Sequence, residues 1–159
     1  KDLQAGKEPD LSQPLEVVSE INLHTPALLP SDYCSDIGER LTLYKRLANC
    51  DSDDELRDLQ EELIDRFGEL PPQTQALVET HRLRLLLKPY EIQKLDVSEA
   101  QLSLQFGPKP PIDPVKVIEL IQKDRNTRMA GPDRLIRKID APGLKQRVSA
   151  VRELLKAVL

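Results

Sequence analysis

The sequence has no tryptophan, two cysteines, two histidines and six glycines among 159 residues, and each scarcity removes a class of chemistry. A phosphate-binding loop needs glycines clustered where a strand opens into a helix. Here Gly6, Gly38, Gly68, Gly107, Gly131 and Gly143 stand apart, and neither GxGxxG nor a GxxxxGK loop occurs. Cys34 and Cys50 are 16 positions apart with no CxxC pair, and His24 and His81 are isolated. The clustered ligands of a zinc site are therefore missing, and the thiols read as reduced cysteines of a cytosolic protein. Chain order alone does not exclude a Ser-His-Asp arrangement. His81, however, follows ALVET in a segment with its own apolar face, and His24 ends a strand-like run; both read as structural or surface histidines. Base stacking wants aromatic rings within a basic groove, and the rings are only Tyr33, Tyr44, Phe67, Tyr90 and Phe106. No apolar run reaches the length of a membrane span. The start, KDLQAGKEPD, carries neither a methionine nor a charged-then-apolar leader, so the expectation is a non-exported, cytoplasmic piece of a longer protein.

What is present suits one soluble α+β domain. Hydrophobic residues make up 39% and charged residues 31%, a composition that supports a real core at this length. The net charge of −4 is unevenly spread. Residues 51–70 hold nine acids against two arginines, and residues 123–159 hold ten bases against four acids. Such a dipole suits docking between charged protein surfaces; two solvated faces are the plainer alternative.

Along the chain, PLEVVSEINL alternates Leu15, Val17, Ile21 and Leu23 with polar residues, the period of a strand. A helix is expected from Asp36 to Asn49, opened by Asp36 and Glu39 as a capping box and carrying Ile37, Leu41, Tyr44 and Leu47/Ala48 on its apolar face. A second starts at Ser52, buries Leu56, Leu59, Leu63 and Phe67, and stops at Gly68 with Pro71 and Pro72 beyond. A third spans roughly Pro72 to Lys88, with Ala76, Leu83, Leu86 and Leu87 inward. YEIQKLDVSEAQLSLQF reads as two strands around a turn at 97–100. Asp113 and Pro114 begin a fourth helix, with Val117, Ile118 and Ile121 inward. TRMAGPDRLIRKI suggests two short strands around Gly131–Asp133. A last helix from Pro142 buries Leu144, Val148, Val151, Leu155 and Val158, and shows Lys145, Arg147, Arg152 and Lys156 on its other face. The fold class is α+β, an antiparallel or mixed sheet covered by about five helices.

The stretch EELIDRFGELPP concentrates four carboxylates, one arginine and a glycine-proline stop. Carboxylates at i and i+3 or i+4 share a helix face, yet no histidine or cysteine completes a metal site there. Arg66 can pair with Glu62 along its own helix, for about 0.3–0.5 kcal/mol. It can instead face a partner, where a desolvated bidentate pair is worth more.

The run LPSDYCSDIGERLTLYKRLANCDSDDELRDLQEELIDRFGELPPQTQAL, with its LYKRLA and DRFG-LP signatures, resembles the C-terminal domain of the bacterial transcription-repair coupling factors, the Mfd family. LQAGKEPDL is similar to the linker after that family's motor module. The resemblance implies residues 1–14 as linker and 15–159 as a single regulatory domain, monomeric when excised and free of membrane contact. It implies that the full-length protein uses ATP to displace RNA polymerase stalled at DNA lesions and recruits UvrA. The last domain then has no catalytic, cofactor or metal site. It docks on the UvrB-like module of the same protein, masks the UvrA-binding surface and restrains the motor. Carried onto this sequence, the docking residues are Glu62, Asp65 and Arg66, with Leu59, Leu63 and Phe67 holding the helix to its own core. The alternative is an accessory nucleic-acid-binding domain using the basic last helix.

Overall fold

The computed structural model describes residues 19–108 and 112–158. In chain order these form β1 (Glu20–Asn22), α1 (Ile37–Ala48), α2 (Asp53–Phe67), α3 (Pro72–Leu87) and a 3-10 turn (Lys88–Tyr90). There follow β2 (Ile92–Val97), β3 (Gln101–Phe106), α4 (Pro114–Lys123), β4 (Thr127–Met129), β5 (Arg134–Lys138) and α5 (Leu144–Val158). Five helices and a mixed five-stranded sheet give the expected α+β class. The expected linker 1–14, and Leu15 and Val17 of the expected first strand, lie outside the described residues.

Helix ends fall where side chains can satisfy the first backbone donors. The Asp36 carboxylate accepts from the Glu39 amide at 2.9 Å, and Ser52 Oγ accepts from the Glu55 amide at 3.1 Å. Glu55 in turn accepts from the Asp51 amide at 2.8 Å, one residue before the cap. Asp113 accepts from the Val115 amide at 2.9 Å, while Pro114 occupies the position that needs no donor. α2 stops at Gly68, whose φ of +95° favours glycine.

The strand order is β1-β2-β3-β5-β4. β1 pairs parallel to β2, and the remaining neighbours are antiparallel. Alternation sends Leu95, Val97, Leu102, Leu104 and Leu135 to one face, where they join Leu83 and Leu87 of α3 and Val151, Leu154 and Leu155 of α5 in a buried core. Arg137 opposes Leu102 and so shares that face. Its Nε donates to Asp124 at 3.0 Å, which removes an unpaired charge from the apolar side. Asp124 also accepts from the Asn126 amide and the Thr127 hydroxyl. These bonds, the Asn126 amide first, hold its carboxyl below the usual range.

A second core lies among the first three helices: Leu43 and Leu47, Leu56, Leu59 and Leu63, then Leu77 and Val78, with Leu29, Cys34, Cys50 and Leu70. α3 supplies both cores, Leu77 and Val78 to the helical one and Leu83 and Leu87 to the sheet. A helix apolar on two sides has no single stripe. This is why its sequence pattern reveals Ala76, Leu83, Leu86 and Leu87 and leaves out Leu77 and Val78.

Two expected stripes are corrected. Ile37 and Leu41 are 65% and 57% exposed, whereas Leu43 and Leu47 are 1% and 0% exposed. On α4, Ile118 is 54% exposed and the inward residues are Val117, Leu120 and Ile121. A helix with more apolar residues than one stripe needs offers several faces of similar period, and only the neighbouring element selects one. Phe67 is half-buried against the helical core, as a continuation of its stripe. Leu43→Ala should therefore cost about 2–5 kcal/mol in urea unfolding, and Leu41→Ala should stay within about 0.5 kcal/mol; equal losses would contradict this packing.

Candidate functional site

Burial of Leu56, Leu59 and Leu63 on one stripe of α2 turns Glu61, Asp65 and Arg66 to solvent and leaves Glu62 half-buried. Glu62 is the hub of an ion network between α1 and α2. Its two oxygens receive Nη1 and Nη2 of Arg46, on α1, at 2.6 and 2.8 Å, a forked charge-assisted pair. Arg66 Nη1 approaches Glu62 at 3.4 Å, and its Nη2 pairs with Glu39 of α1. The sequence Arg46, Glu62, Arg66, Glu39 is thus an alternating chain of charges that crosses the α1–α2 junction twice. The i,i+4 contact expected from the sequence exists, but the shorter bonds of both residues go between helices. Hydrogen bonds from Arg46 hold the Glu62 carboxyl below the ordinary carboxylate range. Asp65 has no ion pair or hydrogen bond within the described residues.

The C-terminal end of the same helix is closed by Tyr33. Its hydroxyl donates to the Gly68 carbonyl at 2.8 Å, just past the helix, and to the Leu63 carbonyl, in the helix's last turns, at 3.2 Å. The Tyr33 and Phe67 rings meet at 5.5 Å, and the Arg66 guanidinium lies 4.8 Å from the Phe67 ring centre. Burial pushes the Tyr33 phenol up. Segments separated in the sequence, LPSDY, LYKRLA and DRFG, therefore converge on one end of α2. Sequence reasoning missed Arg46, Glu39 and Tyr33 as members of this cluster, because all three lie outside α2, on α1 and in the loop before it. The one available signal was the presence of Tyr33 and Arg46 in the same signature as Arg66.

A second ion network joins α2 to α3. Arg82, whose side chain is 18% exposed, donates to Asp53 at 2.8 Å, Glu79 at 2.6 Å and Gln60 at 3.0 Å. It borders a cleft of about 460 Å³ walled by Ile64, Val78, Leu144 and Val148. With two carboxylates on Arg82, that cleft offers no free buried charge from it. His81 is half-buried on α3, and burial, then Arg84, push its imidazole down. His24 lies just beyond β1 and meets Asp96 at 2.7 Å. Cys34 and Cys50 are free and buried, and burial raises the Cys50 thiol. Among the described residues no group of three or more potential ligands is arranged to hold a metal ion, and no helix is long and apolar enough to cross a membrane.

The basic last helix keeps only part of its expected charge. Lys145, Arg152 and Lys156 are at least partly exposed. Arg147 instead turns inward and donates to the Ala141 and Leu23 carbonyls, both at 2.9 Å. It ties α5 to the end of β1 and is lost to any surface stripe.

Because the folded Glu62 carboxyl is depressed, its pairing contributes stability above the unfolded carboxyl value, near pH 4.3, and loses it as pH falls through the folded value. Glu62→Gln should cost about 0.2–1 kcal/mol at neutral pH, as for an exposed pair. In a series of urea melts, the difference from the unsubstituted chain should close on acidification; a gap independent of pH would show that the charge of Glu62 carries none of it.

A family model, the TRCF domain, matches residues 23–117. The transcription-repair-coupling factor of Haemophilus influenzae is 38% identical over 159 residues, which is 99% of this chain and 14% of that protein. That of Escherichia coli is 36% identical over 155 residues, 97% of this chain and 14% of that protein. The chain thus spans about one seventh of the length of these relatives. A crystal structure of the C-terminal domain of transcription-repair coupling factor superposes with a TM-score of 0.73. It covers 89% of this chain and 94% of that one at 22% identity, and so shares the fold. The convergence of LPSDY, LYKRLA and DRFG on one helix end lies wholly within the matched segment, and the chain belongs to the transcription-repair-coupling factor family.

Proposed function

We propose that this chain is the C-terminal regulatory domain of a transcription-repair coupling factor, with residues 1–14 leading in from a motor module and 15–159 forming the domain. The full-length protein, on this reading, works in the cytoplasm. It displaces RNA polymerase stalled at DNA lesions by ATP-driven translocation and recruits UvrA. The present domain breaks no covalent bond and binds no cofactor. It docks on the UvrB-like module of the same polypeptide, masks the UvrA-binding surface there and restrains the motor until polymerase is engaged.

The observation that carries this reading is the exposed charged ridge of α2. Glu62 and Arg66 are fixed in place by Arg46 and Glu39, while Asp65 beside them has no partner within the described residues. Side chains already held in one geometry lose little further freedom on docking, so such a ridge recognises a complementary surface at small entropic cost. The strength required is modest. A closed state populated at about 99% lies only ~2.7 kcal/mol below the open one. A few charge-assisted contacts supply that, and polymerase binding can overcome it. An extensive apolar interface would hold the closed state too tightly for a switch.

Asp65 is the better probe, because Glu62 also ties α1 to α2. Asp65→Arg in the full-length protein should raise UvrA affinity roughly tenfold or more, since a loss of about 1.4 kcal/mol in the closed state opens it by that factor. The melting temperature of the isolated chain should be unchanged. UvrA affinity equal to that of the unsubstituted protein, with the variant folded, would remove Asp65 from the docking surface.

A further inference from the structure

The core helices α3 and α5 pack on one face of the sheet. Its other face is set by register: Lys94 and Asp96 on β2 pair with Gln105 and Ser103 on β3, Ser103 with Ile136 on β5, and Ile136 with Arg128 on β4. Arg134 and Lys138 share the side of Ile136 by alternation. A hollow of about 230 Å³ lies there, lined by Lys94, Asp96, Gln101, Ser103, Gln105 and Arg134. Its floor is the Ser103 hydroxyl, which accepts from Arg134 Nε at 3.1 Å. That bond holds the guanidinium at the hollow and leaves its two terminal nitrogens without a protein partner in the described residues.

The charges on this face are one-sided. Its two acids lie towards β1 and are both occupied, Glu20 by Lys94 at 3.6 Å and Asp96 by His24 at 2.7 Å. Arg128, Arg134 and Lys138, on β4 and β5, are exposed and make no ion pair within the described residues. Arg134 and Lys138 are four residues apart on one strand, about 13 Å, with Arg128 beside the residue between them.

We propose that this open sheet face binds the phosphate backbone of duplex nucleic acid, with Arg128, Arg134 and Lys138 as the contacts and the Ser103–Arg134 bond positioning Arg134. Two features favour phosphate over an acidic protein. Stable protein interfaces are built on a desolvated apolar or aromatic anchor, and the apolar side chain at the centre of this face, Ile136, is 5% exposed and so withheld from any partner. Backbone contacts to nucleic acid need only cations and hydrogen-bond donors. The hollow also has no aromatic ring in its lining, and a single-strand stacking platform requires one. The surface is separate from the α2 ridge and from α5, so it stands independently of the docking reading.

The test is fluorescence anisotropy of the whole 159-residue chain with a labelled mixed-sequence duplex of about 20 base pairs, titrated with potassium chloride from about 20 to 200 mM. Three phosphate contacts predict a log–log salt slope of about −3, and Arg134→Gln with Lys138→Gln should weaken low-salt binding roughly tenfold or more and reduce the slope to about −1. Lys145→Gln with Arg152→Gln, on α5, should change neither. Arg128→Gln alone gives an independent readout, with a slope shallower by about one. Thermal melts establish that each variant is folded. Absence of duplex binding at the lowest salt overturns the proposal. So does a loss that follows the α5 variant and spares the sheet variants, tighter binding of a single strand than of the duplex, or displacement of the duplex by polyglutamate at equal charge concentration.

Discussion

Everything in this fold is organised around α3, a helix that must be buried on two sides at once. Leu77 and Val78 belong to the helical core, and Leu83 and Leu87 to the sheet core. Each core is small, and neither the three-helix unit nor the sheet with its covering helices could hide its apolar face without this shared element. Disrupting α3 would expose both cores together, so the two halves are thermodynamically one unit although their cores are distinct. Arg82 reinforces the same junction through Asp53 of α2 and Glu79 of α3 itself.

With the interior settled by α3, the surfaces become free to differ in charge. α2 buries one leucine stripe, and most of its remaining surface is charged. Three of its seven acids are ion-paired within the described residues: Arg46 and Arg66 take Glu62, Arg57 takes Asp53 and Asp54, and Arg82 also takes Asp53, so part of the ridge is ordered and mixed in sign. At the far end of the chain the bases are handled in two ways. Arg137 and Arg147 are drawn into structural bonds, while Arg128, Arg134 and Lys138 stay open on the sheet. One charged composition thus yields a partly ordered ridge of mixed sign on α2 and an open cationic face on the sheet.

The family signature has a physical basis in these bonds. Tyr33 closes the carbonyl end of α2, Phe67 packs on Tyr33, Gly68 supplies the positive φ at which the helix stops, and Arg46 reaches Glu62. These residues belong to three sequence segments and one structural corner. The corner fixes where Arg66 and Asp65 stand relative to α1.

Elements and caps were legible in the sequence because they are local. Asp36, Ser52, Asp113 and Gly68 mark helix ends through bonds to residues within three or four positions, and the β2–β3 and β4–β5 hairpins follow from alternation and turn residues alone. The α+β class follows from that order of elements. Tertiary structure alone decided which of several apolar stripes is buried, as on α1, where Leu43 and Leu47 go inward and Ile37 and Leu41 do not. It also decided which charges are spent: Glu62 on Arg46 more closely than on its own helix neighbour, and Arg147 on backbone carbonyls beyond its helix. The reason is the same in both cases. A helix's own period fixes which residues share a face, but the energy of burying that face or pairing its charges comes from an element elsewhere in the chain, and only folding brings that element into contact.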